Sequence, residues 1–97
     1  MTAEETRNFI DCVTWEDCTV RLNDRVYWCL GLARYPKDNK IYTQVYEENP
    51  TTHEFVRDLL SYASDSKDDC MKHFLEDKYW DGKSFYEVAP DMEWIDL

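Results

Sequence analysis

At 97 residues, with 43% apolar residues and a formal net charge of -10, the chain has room for one small core and enough apolar side chains to build it. That apolar content excludes a disordered tail, and the charge disfavours nucleic acid and anionic membrane as ligands. The aromatic share of 15% can fill a modest core and still leave rings for an interface.

Residues 1–97 read as a single compact domain, since no repeat, low-complexity tract or flexible linker divides them. Met1 to Thr6 is acidic, unlike a signal peptide, and no apolar run is long enough to span a bilayer. Asn49-Pro50-Thr51 has proline in the middle, so it cannot accept a glycan. These features predict a cytoplasmic protein, bacterial or host.

Thr2 with Glu5 forms a capping box for a helix from about Ala3 to Cys12, with Phe9, Ile10 and Val13 as its apolar side. Two β runs follow a short Thr19 to Leu22 strand: Arg25 to Tyr35 and Lys40 to Glu47. A turn at Pro36 to Asn39 sets Leu30 opposite Val45, Leu32 opposite Thr43, Ala33 opposite Tyr42 and Cys29 opposite Tyr46. Trp28, Leu30, Leu32 and Val45 then face the core. The tyrosine face is either packed under a second layer, the favoured option, or offered to a partner.

Thr51 and Glu54 read as a second capping box. Phe55, Val56, Leu59, Leu60, Tyr62 and Ala63 fit a helical period better than a strand. Ser66 with Asp69 starts a helix that runs to about Asp77, burying Cys70 and Phe74 beside Met71. Trp80-Asp81-Gly82 breaks it, and Ser84 with Glu87 caps a short turn that Pro90 stops. Met92 to Ile95 reads as a final edge strand. The predicted fold is α+β: a small antiparallel sheet of three to four strands with two to three helices packed on one face.

Cys12, Cys18, Cys29 and Cys70 share no disulfide or zinc spacing, so four free thiols are expected. Cys70 and His73 lie on one helical face and would make half of a zinc site with Cys12 and Cys18, but the spacing is weak and the expectation is no metal and no cofactor. Neither His53 nor His73 neighbours a nucleophile in a known local motif. Gly82-Lys83-Ser84 lacks the glycine a phosphate loop needs five residues earlier, where Asp77 stands. Asp65, Asp68 and Asp69 do not follow calcium-loop spacing. A non-enzymatic protein is expected.

The charge is uneven. Residues 1–46 carry seven acids and six bases, net -1, whereas residues 47–97 carry fourteen acids and five bases, net -9. This predicts a binder that occupies a basic, nucleic-acid-binding surface of a protein partner such as a nuclease, without touching nucleic acid or membrane itself. Candidate contacts are Asp65, Asp68, Asp69, Glu76, Asp77 and Asp81, with Tyr42 and Tyr46 as aromatic anchors. In size and charge the chain resembles phage-encoded inhibitors of host defence, the DNA-mimic-like anti-CRISPR and anti-restriction proteins. Two alternatives stand beside that reading: an immunity or antitoxin protein neutralising a basic nuclease toxin, and an adaptor binding through its aromatic sheet face. Homodimer formation is compatible with each.

Overall fold

In the computed structural model, which describes residues 1–95, Thr2 opens the first helix as its sequence predicts. The Glu5 amide donates to the Thr2 hydroxyl at 3.1 Å, and the Thr2 amide donates to the Glu5 carboxylate at 3.0 Å. Helix α1 (Ala3–Val13) buries Phe9 and Val13. Strands β1 (Cys18–Leu22), β2 (Arg25–Cys29), β3 (Ala33–Tyr35), β4 (Lys40–Glu48) and β5 (Phe55–Ser64) follow. Helix α2 (Lys67–Glu76), the short helix α3 (Phe85–Val88), a 3-10 turn (Ala89–Asp91) and β6 (Glu93–Ile95) complete the order. Pro90 lies inside that 3-10 turn, whose tighter backbone has no amide to lose there.

The fold is α+β, with three helices and an antiparallel sheet of six strands, more than the three or four expected. Two local causes account for the difference. The first is a break at Leu30 to Leu32, which divides one long β run into β2 and β3. Both arms pair along the same edge of β4, β3 through residues 40–42 and β2 through residues 45–48. The Leu30 amide bridges the gap by donating to the Gln44 carbonyl at 2.9 Å.

Gly31 explains the break. A Cβ there would stand 2.8 Å from the Glu16 carbonyl carbon, so only glycine admits the chain that leaves α1. The Gly31 amide donates to Asp17 Oδ1 at 2.8 Å rather than to a sheet neighbour. One residue is thereby lost from the ladder and the register slips by one. Ala33 still faces Tyr42 and Tyr35 faces Lys40, as expected. Beyond the break, Cys29 faces Val45 and Trp28 faces Tyr46, correcting the expected Leu30–Val45 and Cys29–Tyr46 pairs. Leu32 and Val45 remain in the core, Cys29 joins them, and Trp28 and Leu30 move half-buried to the opposite face.

The second cause is β5, which replaces the helix expected across residues 51–63. Asn49 takes the amides of Thr51 and Thr52 on its side-chain oxygen, at 2.8 and 3.0 Å, and closes a hairpin turn instead of a capping box. The strand then satisfies the outer edge of β4 along most of its length, which a helix would leave unpaired. A register irregularity between Val45 and Tyr46 passes over Leu59, so two leucines in a row imitate a helical period.

All three helices lie on one face of the sheet. Phe9 stacks on Phe85 with centroids 5.5 Å apart and on Phe74 at 6.5 Å, and meets Trp94 edge-on at 5.4 Å. Val20, Tyr27, Cys29 and Val45 supply the sheet side of that core. Leu32, Ile41 and Cys70 form a smaller cluster under α2, where the Cys70 thiol donates to the Ile41 carbonyl at 3.4 Å. Glu47 is buried beside this core and accepts from Arg57 at 2.8 Å and from Arg25 at 3.3 Å, so its charge is paired. Neither core cluster contains Trp28, Tyr42 or Tyr46.

Candidate interaction surface

Helix α2 collects four of the acidic side chains singled out from the sequence, Asp68, Asp69, Glu76 and Asp77 at its cap, with Asp65 just before it and Asp81 in the turn beyond. They do not form an unbroken negative row. Asp68, Lys72 and Glu76 are spaced four apart, so an exposed lysine stands between two exposed acids. Residues 65–81 carry six acids against Lys67, Lys72 and Lys78, net -3.

Two of these acids also serve the fold. Tyr62 on β5 donates to Asp69 at 2.6 Å, and His73 stacks on the Tyr62 ring with centroids 3.8 Å apart. His73 Nδ1 lies 2.7 Å from Asp77. The Tyr62 hydroxyl bond holds the Asp69 carboxyl below its usual range and pushes the tyrosine pKa up. This chain of groups clamps α2 to the sheet. Asp65 uses its backbone carbonyl to accept from Arg34 at 3.0 Å, leaving its side chain in solvent. Asp68, Glu76 and Asp81 are exposed.

Tyr42 and Tyr46 lie on the sheet face away from the helices, two positions apart on β4 with Gln44 between them. Each extends into a small aromatic group. Tyr46 stacks nearly parallel on Trp28, with centroids 6.3 Å apart and planes at 11°, and touches exposed Phe55 at 5.8 Å. Tyr42 meets Tyr35 edge-on at 5.0 Å, and its hydroxyl donates to Asp38. A hollow of about 270 Å³ opens there between Leu30, Tyr35, Tyr42 and Gln44, with Lys37 and Asp38 completing its lining. Neither core cluster lies on this face, where the rings of Trp28, Tyr42 and Tyr46 stay half-buried while Thr19, Val26 and Glu48 are buried. The favoured expectation of packing under a second layer gives way to rings that cover the sheet themselves and keep part of their surface exposed.

Carboxylates surround the Trp28–Tyr46–Phe55 group. Asp58 lies opposite Tyr46 across the β4–β5 ladder and accepts from Gln44 at 2.9 Å. Burial raises the Tyr46 hydroxyl pKa, and nearby Glu48 and Asp17 push it further in the same direction. Glu48 is buried and lies 3.2 Å from His53, the nearest imidazole. The sequence predicts none of Trp28, Tyr35 and Phe55 as a contact, since it assigns Trp28 to the core and Phe55 to a helix. The signal that would have found Trp28 is Gly31: a glycine inside a strand pattern marks a bulge, and a bulge there sets Trp28 opposite Tyr46.

The four thiols are free, with Cys12 half-buried and the others buried. Cys12, Cys18 and Cys29 lie near one another where α1 ends beside β1 and β2, whereas Cys70 lies under α2 against Ile41, so Cys70 and His73 do not join Cys12 and Cys18. Among the described residues no group of three or more His, Cys, Asp or Glu side chains is placed to hold a metal ion. No helix among them is long and apolar enough to cross a membrane. No family model matches this chain, and no curated protein or solved structure does either.

Proposed function

We propose that this protein is a non-enzymatic binder that occupies a basic surface of a protein partner, of the kind that nucleic-acid-binding proteins and nucleases present. The observation that carries this reading is the open aromatic sheet face bordered by carboxylates, on a chain of net charge -10. Rings on a rigid sheet give contact area at little cost in lost conformational freedom. The wider negative field, including Asp65, Asp68, Glu76 and Asp81 around α2, steers the encounter, and Asp69 and Asp77 add charge while holding the helix in place. A phage-type inhibitor of host defence, anti-CRISPR or anti-restriction, is the setting this reading favours.

Affinity capture from a cell lysate, with the bound protein identified by mass, supplies the partner. Its association rate is then compared between the wild type and a variant reversed at Asp65, Asp68, Glu76 and Asp81. Slower association at low salt, with the fold intact, supports the reading. An unchanged rate and affinity reject it for α2.

The open sheet face favours a second reading, an adaptor that docks through Trp28, Tyr46 and Phe55 with the charge incidental. Binding would then be insensitive to salt and abolished by Tyr46→Ser.

A further inference from the structure

Thr19 is the smallest side chain in a row that crosses the open face. It lies opposite Ile95 on one side and Trp28 on the other. A groove of about 390 Å³ lies at the end of the sheet where β1 begins and takes its lining from both sides, Thr19, Trp28 and Ile95 from the open face and Cys12, Cys18 and Trp94 from the helix side. Glu16 and Asp17 complete the lining. No lysine or arginine lines it. Both carboxylate residues are exposed, yet their backbone is fixed, because the Gly31 contact presses on Glu16 and the Gly31 amide holds Asp17 Oδ1. The hollow beside Tyr42 is different in kind, since Lys37 lines it along with Asp38.

We propose that this groove is the docking socket for one arginine side chain of the basic partner, its guanidinium lying against the Trp28 indole and donating to Glu16 and Asp17. The inference rests on the binder reading above and adds the site and the residue type. A flat, weakly hydrated guanidinium suits a groove lined by an indole and two carboxylates. Its forked donors match carboxylate geometry. A lysine ammonium has no plane to stack and loses more hydration on entering. Tyr46, packed on Trp28, backs the indole.

The test titrates the full chain, labelled with nitrogen-15, with two blocked pentapeptides of equal charge, one carrying two arginines and one two lysines. The indole N–H signal of Trp28 and the amides of Glu16 to Thr19 are followed. The arginine peptide should shift these signals saturably and bind several-fold more tightly than the lysine peptide. Glu16→Gln with Asp17→Asn keeps the hydrogen-bond acceptor for Gly31 and removes both charges. It should weaken the arginine peptide about tenfold, the sum of two modest charge contacts. Equal binding of the two peptides, or an unaffected double variant, overturns the socket. Shifts confined to residues 65–81 also overturn it but leave the acidic-binder reading standing. No shift anywhere at low salt removes both.

Discussion

Gly31 packs directly against the backbone of Glu16, so that a Cβ at residue 31 would lie 2.8 Å from the Glu16 carbonyl carbon and 3.0 Å from its nitrogen and oxygen. The contact ties the end of α1 to the break between β2 and β3, and it places Glu16 and Asp17 beside Trp28. Gly31→Ala must therefore move backbone rather than a flexible side chain. It should destabilise the fold by about 1 to 3 kcal/mol, the usual range for overpacking. Urea unfolding measures this, and a loss below about 0.5 kcal/mol, the range of an ordinary surface change, would show that the two segments separate freely.

The two faces of the sheet should respond differently to truncation. Phe9 is fully buried among Phe74, Phe85 and Trp94, so Phe9→Ala should cost about 3 to 5 kcal/mol. Leu30 is half-buried on the open face, and Leu30→Ala should cost about 1 kcal/mol. Comparable losses for the two variants would mean that the open face is covered.

The caps at Thr2, Ser66 and Ser84 and the helices other than the one expected at 51–63 were legible because each rests on residues close in sequence. The last strand was legible from its own alternation, although it pairs with distant β1. Thr2 with Glu5 and Ser84 with Glu87 form reciprocal boxes, and Ser66 accepts from the Asp69 amide. What escaped depends on partners distant in the chain. The slip that exchanges Cys29 for Leu30 opposite Val45 is set by Glu16, fifteen positions from Gly31 and invisible to local periodicity. The strand at Phe55 to Ser64 is set by the free edge of β4, which only the folded hairpin reveals. Of the candidate site, Tyr42 and Tyr46 were placed on one face by alternation alone, and the structure adds Trp28 and Phe55 beside Tyr46. The acids of α2 cluster in sequence, but Lys72 between Asp68 and Glu76 already divides that cluster there.

Acid should loosen the ends of α1 and α3. The Thr2 amide holds the Glu5 carboxyl below its ordinary value of 4.5, and the Ser84 amide does the same for Glu87. Because both folded-state values lie below the unfolded ones, this stabilisation is complete above about 4.5 and is lost as pH falls through the lowered values. Glu5→Gln with Glu87→Gln removes the two titrations. The double variant should show a shallower fall in urea midpoint than the wild type below that pH. Parallel curves would mean that the two boxes do not contribute to the acid sensitivity.

The central claim is that a negative field guides an aromatic face onto a basic protein surface, and the association rate with the captured partner tests it most directly. Measured as salt rises from about 0.01 M to about 0.15 M, where the screening length contracts from about 30 Å to about 8 Å, the rate should fall by about tenfold or more. Tyr46→Ser should instead act mainly on dissociation, because it removes contact area and leaves the charge unchanged. A rate unaffected by salt would contradict the claim and leave the aromatic face as an adaptor surface whose acidic surroundings play no part in binding.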